Sequence, residues 1–412
     1  VTVALGLVFV GAFTKSAQFP FQFWLPGAMA APTPVSAYLH SATMVKAGVV
    51  LLLFLAPGFA STGLWLWVVT STGLVTMVVG AVIAIRQTDL KLLLAYGTVS
   101  QLGFMVALIG LGYTAAALAV LVAHALFKAA LFLIVGVVDK GSGTRDVREL
   151  TGVAVRYPAT AVAGAVAALS MAGIPPLLGF VTKEAAFDIL ISDRRWVVLA
   201  TIAAASVFTV AYALRWWFGA FGTKPGIAAP HFRPVATLMV VPPVALAALA
   251  LLFGVFPTPI AEAIAEAASQ TVKLVAWPGF KPALALSAVV TVAGVGLYLT
   301  LASLGFLRLP TVRSLHLPTG STVYQGALRL LTTTADVVTG VVQNGSLPVY
   351  LAVILTSVLF LPAVTWAFDW DATIALPAWN SPVEVVLAGI VLGAAFAATR
   401  AQRRMAAVLL LG

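Results

Sequence analysis

Apolar runs of 18 residues or more, the length a helix needs to cross a bilayer, recur along the chain from one end to the other. The segments fall near 1–30, 35–55, 64–85, 91–111, 114–138, 158–192, 196–218, 235–256, 283–305, 348–368 and 383–399, with a further one starting near 405. Only 9% of residues are charged and 61% are hydrophobic, against about 25% charged in a soluble domain. The pattern specifies an all-α polytopic membrane protein. The chain has no cysteine, which excludes disulfides, iron–sulfur clusters and thiolate metal sites built from it. No haem-attachment or nucleotide-phosphate motif is present, and no cofactor is expected. The net charge of +10 is read as membrane topology before nucleic-acid binding.

The basic residues alternate by loop. Fifteen Lys and Arg fall in the loops after the third, fifth, seventh, ninth and eleventh segments: Arg86, Lys91, Lys140, Arg145, Arg148, Arg156, Arg215, Lys224, Arg233, Arg308, Arg313, Arg329, Arg400, Arg403 and Arg404. The opposite loops hold four: Arg194, Arg195, Lys273 and Lys281. The positive-inside rule puts the first set in the cytoplasm. The opening "VTVALGLVFVG" and the closing "MAAVLLLG" both read as cut spans, so an internal piece of a larger protein is expected.

Four basic residues remain, Lys15, Lys46, Lys128 and Lys183, all placed inside spans and none an arginine. A charge at the bilayer centre costs roughly 2.5–3.5 kcal/mol on insertion scales. A desolvated lysine can release its proton, whereas an arginine effectively cannot. Buried lysines without buried arginines are what proton handling would select.

The first and sixth segments are long for a simple span and carry breakers. "FTKSAQFPFQFWLP" holds Pro20 and Pro26, and "SMAGIPPLLGFVTKEAAF" holds Gly173, Pro175, Pro176 and Gly179. An offset of five segments, an odd number of crossings, inverts the second unit relative to the first. Interrupted helices at matching positions of inverted repeats point to a transport site; ordinary proline kinks are the alternative. Residues 320–343 have an apolar stripe at helical spacing opposite Arg329, Thr333 and Asp336. That segment is expected to be an amphipathic helix along the membrane surface or clamping its neighbours.

The ionisable groups inside spans are Lys15, His40, Lys46, His124, Lys128, Lys183 and Glu184. His124 and Lys128 are four residues apart and share a helix face. His40 and Lys46 share a segment with Ser36, Ser41 and Thr43, and "AYGTVSQLG" adds Tyr96, Ser100 and Gln101. Together they form a polar path on which protons can step through water between fixed groups. Snorkelling remains the alternative for Lys15 and Lys183, and simple neutralisation of Lys183 the alternative for Glu184. No acidic cluster inside the membrane marks a metal-ion site, so that site stays unknown.

"KSAQFPFQFWLPGAMAAPTPVSAYLHSATMVKAG", "DLKLLLAYGTVSQLGFM", "HALFKAALF" and "GIPPLLGFVTKE" resemble the antiporter-like subunits shared by Mrp-type Na+/H+ antiporters and respiratory complex I. The resemblance covers roughly residues 1–370. It implies two inverted five-helix units with interrupted helices and a lateral helix on the cytoplasmic side. It puts Lys15, Lys128 and Lys183 at the key pathway lysines, with Lys46, His40 and His124 as accessory groups. The family's essential glutamate lies upstream of Lys15, and Val120 occupies a position where some relatives carry a second histidine. Within the family, "VGVVDKGSGTRDVRELTG" and the continuation past 368 are similar to the A subunits of Mrp antiporters.

That similarity implies a non-enzymatic component of a hetero-oligomeric antiporter, multi-pass in a bacterial cell membrane. Its partners would be the other Mrp subunits, the bilayer, and Na+ and H+ as transported ions, with no nucleic acid. The expected division is a conducting core at 1–256, further spans with the lateral helix at 257–370, and a linker into a C-terminal extension at 371–412. The alternatives are a proton-pumping membrane component of a complex I-like redox enzyme or membrane hydrogenase, and a scaffold without ion movement of its own.

Overall fold

A backbone inside lipid must satisfy its own hydrogen bonds, so the apolar runs wind into helices. The computed structural model describes residues 2–41, 43–305, 320–343, 345–368, 381–400 and 405. The expected span beyond Met405 and the loop charges Arg308, Arg313, Arg403 and Arg404 lie outside the described residues. The chain divides into two compact units, Val1–Leu328 and Arg329–Gly412.

The first unit begins with α1 (Thr2–Lys15), a 3-10 turn at Phe21–Phe23, α2 (Trp24–Gly27) and a 3-10 turn at Ala28–Ala30. Then come α3 (Thr33–Ser41), a 3-10 turn at Met44–Lys46, α4 (Ala47–Phe59), α5 (Gly63–Ala84), α6 (Leu90–Gly110) and α7 (Thr114–Ser142). The short α8 (Val153–Arg156) leads to α9 (Pro158–Ala172), α10 (Leu178–Ser192), α11 (Trp196–Phe221), α12 (Thr237–Val255), α13 (Thr258–Ala268) and α14 (Pro282–Ser303). The division between units falls within α15 (Gly320–Val342), and the second unit continues with α16 (Leu347–Phe368) and α17 (Pro382–Arg400). Nine helical stretches among the described residues are long and apolar enough to cross a membrane, while α1 and α9 are apolar but shorter.

α6 and α7 form the centre of the first unit. α6 is buried along almost its whole length; α5 covers one side of it, and α7 packs against α3, α9, α10 and α12. Both expected interruptions are present. In the first, the unwound stretch after Lys15 is held by Gln18 N–H donating to Phe13 O at 2.9 Å and Phe19 N–H donating to Thr76 Oγ1 at 2.9 Å. In the second, α9 ends at Gly173, whose φ of +77° is left-handed. Ile174 N–H returns to Leu169 O at 3.0 Å, and Gly179 N–H reaches Ser170 Oγ at 3.2 Å.

A third interruption is not among those expected. The segment read as one span at 35–55 is split between Ser41 and Met44. There the Ser41 hydroxyl donates to Ala37 O and Thr43 Oγ1 donates to Tyr38 O at 2.9 Å. Short hydroxyl side chains compete for helix carbonyls in this way. α13 also has no counterpart among the expected segments, although Pro257, Pro259 and the Glu262–Glu266 spacing signal a short capped helix. α15 covers the stretch expected to be amphipathic, and its Tyr324 ring lies 5.9 Å from that of Phe23.

Candidate functional site

α7 passes through the middle of the first unit, so side chains on its inner face are sealed from every side. His124 and Lys128, one turn apart, are both fully buried. The Lys128 ammonium donates to Leu94 O of α6 at 3.0 Å. Among the described residues it has no carboxylate partner. Its room comes from Gly97, beside which both Lys128 Nζ and the Tyr212 ring lie.

The split of the second span carries His40 and Lys46 to the same region. His40 is fully buried and its ring lies 5.4 Å from that of Phe132 on α7. Lys46 is 2% exposed. His124 is within Coulombic reach of Lys46, Lys128 and His40, and Lys128 is within reach of Lys46. Among the described residues, neither ring nitrogen of His40 or His124, nor Lys46 Nζ, makes a hydrogen bond to protein. Buried polar atoms of this kind are ordinarily bridged by water. The arrangement gathers titratable groups around a polar seam in an apolar bundle.

Lys183 lies on the far side of the seam. Gly173 turns left-handed and leaves no Cβ in the way, so the Lys183 ammonium reaches back across the helix break to donate to Ala172 O at 2.8 Å. It lines a cavity of about 20 Å³ together with Gln101, Ser170, Thr182, Ser206 and Thr209, which is room for about one water. Gln101 stands one turn along α6 from Gly97, and the Tyr212 hydroxyl lies beside Ser100, Gln101 and Thr209. The polar lining thus runs from Lys128 towards Lys183. Glu184 points elsewhere: its Oε2 accepts from Ser287 Oγ of α14 at 2.6 Å. One turn on, Asp188 pairs with Lys281 at 3.2 Å.

Three expectations need correction. Lys15, expected inside the bundle, is exposed on this chain. The neighbouring Ser16 faces α4, accepting from Val49 N–H at 3.0 Å, and this turns Lys15 to the flank. Lys91, counted as a loop charge, is 1% exposed. Its ammonium donates to Met29 O at 3.0 Å and Ala31 O at 2.6 Å. Arg215, also counted as a loop charge, is buried within α11 and donates to Gln87 O at 3.0 Å. The buried bases are therefore not all lysines. Lys91 and Arg215 escape the sequence pattern because each sits within two turns of a helix end, where composition reads as loop.

The polar rim beyond the spans is ordered too. Arg145 bridges Asp89 at 3.2 Å and Asp139 at 3.8 Å. Lys224 donates to Gly219 O at 2.8 Å and to Leu150 O. Burial lowers its ammonium to about 8 from an ordinary 10.5, with Asp146 opposing. On the other rim Tyr113 donates to Asp193 at 2.5 Å; burial, then this bond, push its hydroxyl up to about 12. Among the described residues no group of three or more His, Cys, Asp or Glu side chains is placed to hold a metal ion.

These features define an all-α polytopic membrane protein with interrupted helices and ionisable side chains at its centre. Residues 1–209 match the NADH:quinone oxidoreductase/Mrp antiporter transmembrane family, and the chain belongs to that family. It is 41% identical to the A subunit of the Na+/H+ antiporter of Alkalihalophilus pseudofirmus over 72% of this chain and 42% of the relative. It is 35% identical to the A subunit of the Na+/H+ antiporter of Bacillus subtilis over 99% of this chain and 56% of the relative. The chain thus spans about half the length of the curated relatives it matches. A chain in the structure of the Mrp complex from a Dietzia species superposes with a TM-score of 0.74 at 35% identity, covering 98% of this chain and 45% of that one. A chain of respiratory complex I from Thermus thermophilus gives a TM-score of 0.54 at 28% identity, covering 62% of this chain and 57% of that one.

Proposed function

We propose that the chain is the antiporter-like part of the A subunit of a multi-component Na+/H+ antiporter in a bacterial cell membrane. In this reading residues 1–256 conduct protons that drive cation efflux, along a path of Lys128, His124, Lys46 and His40 with Lys183 towards one end. The observation that carries it is Lys128, an ammonium at the centre of the bundle held by one backbone carbonyl and no carboxylate. Burial makes the charged form of a lysine so placed costly, and this favours shedding the proton or exchanging it with neighbours. His124, His40 and Lys46 are the neighbours, and like charges among them disfavour simultaneous protonation. A proton arriving at one site then displaces one from the next.

The partners would be the remaining subunits of the antiporter. The much wider coverage by the Mrp chain than by the complex I chain, 98% against 62%, favours antiport over a redox-linked pump. A relative from Rhizobium meliloti is named as part of a probable K+/H+ antiporter, so the cation is tested directly. The test is proton exchange in everted vesicles after pulses of Na+ or K+, comparing the full assembly with and without this protein. Loss of Na+-driven exchange on deletion is expected. Unchanged exchange without it overturns the reading.

A further inference from the structure

The stretch between the first and second spans cannot close all of its hydrogen bonds locally. The 3-10 turn Ala28–Ala30 ends at Ala31, whose ψ of 156° is extended. Pro32 and Pro34 follow and carry no N–H. The last carbonyls of a helical segment lack partners within it and must find them elsewhere. Met29 O and Ala31 O find theirs on another helix, in the Lys91 ammonium at 3.0 and 2.6 Å. A cation at a helical C-terminus also meets the negative end of the backbone dipoles.

Lys91 is itself fixed. It lies in the first turn of α6, where the Asp89 carboxylate accepts from Lys91 N–H at 2.7 Å and from Leu92 N–H at 3.2 Å. Asp89 is paired with Arg145 at 3.2 Å, and Leu90 N–H donates to Arg145 O at 3.0 Å. The α7–α8 connection, the start of α6 and the end of the first interrupted span are thus one linked unit. Two residues beyond Ala31 begins α3, which carries His40, and Lys91 lies within Coulombic reach of that histidine.

We propose that Lys91 is a positioning residue. Its ammonium caps the Met29 and Ala31 carbonyls from α6 and so fixes the end of the first interrupted span and the start of α3, setting where His40 stands. It works as a permanent cation and donor, unlike Lys128, whose role depends on losing a proton. Arginine, with more donors and a fixed charge, should replace Lys91 but not Lys128.

The test uses the absence of cysteine from this chain. Ser36, fully buried in the first turn of α3, is changed to Cys in the assembled complex and labelled with a maleimide in everted vesicles. Removing a charge-assisted donor from two buried carbonyls loosens the segment, so K91M should raise labelling of S36C by about tenfold. K91R should hold labelling, and exchange, near the parent's. K91M missing from the complex while K91R assembles counts the same way. Unchanged labelling in K91M overturns the proposal. So does K91R that labels like the parent yet has lost exchange, because Lys91 would then be a proton carrier. The exchange readout rests on the proton-path reading, whereas the labelling reads the backbone alone and stands if that reading fails.

Discussion

Replacing Gly97 by alanine tests whether the seat of Lys128 matters. A Cβ at Gly97 would stand 2.9 Å from Lys128 Nζ and 3.1 and 3.3 Å from two Tyr212 ring atoms, where ordinary contact starts at 3.4 Å. Tyr212 is fully buried, so the flexible end of the lysine is the part expected to give, by about 0.5 Å to regain contact. A retreat directed away from Leu94 O stretches that bond, now 3.0 Å, past the usual limit of about 3.2 Å. A hydrogen bond from a charged donor is worth about 1.5–3 kcal/mol, so its loss shifts the ammonium's equilibrium by about tenfold or more. Against this, glycine to alanine within a helix gains about 0.5–1 kcal/mol. Gly296 on α14 isolates that gain, since a Cβ there meets nothing within 4 Å. We expect Gly97→Ala to assemble normally and to exchange about tenfold more slowly, with Gly296→Ala at the parent rate. Vesicle exchange normalised to protein content is the assay. Parent-rate exchange by Gly97→Ala, or an equal loss in both variants, refutes the reasoning.

Three further outcomes follow from the same geometry. Glu184→Gln should shift the pH profile of exchange without abolishing it, because Glu184 faces Ser287 rather than Lys183; complete loss would put it on the path itself. Paired prolines at Leu331 and Val338 on the exposed α15 should break that helix at about 3 kcal/mol each, and a complex that still assembles and exchanges normally would deny α15 a clamping role. For Lys224 the unfolded chain keeps its proton to 10.5 while the folded chain releases it from about 8. The unfolded state binds more protons between these values, so local stability rises with pH across that window. Amine-directed labelling of Lys224 should titrate near 8, and a midpoint near 10.5 would contradict its burial.

The crossings are legible in the sequence because apolar length and loop charge obey simple rules in a membrane. The proline- and glycine-marked interruptions are legible too, as is the shared face of His124 and Lys128, which helical spacing alone sets. The split after Ser41 is not legible, because hydroxyls decide it and they are silent in a hydropathy pattern. Lys91 and Arg215 read as loop charges, since their burial depends on carbonyls of other segments, at Met29, Ala31 and Gln87. Lys15 reads as a buried group, since periodicity within one helix does not say which flank its neighbours cover.

The path through Lys128 is tested most directly by Lys128→Arg in the assembled complex, measured as Na+-driven proton exchange in everted vesicles. Arginine keeps a positive charge and N–H donors but cannot release a proton. The expected result is a complex of normal composition with exchange abolished, as in Lys128→Ala. Exchange at the parent rate by Lys128→Arg would show that the buried charge is structural, and that protons cross the membrane by another route.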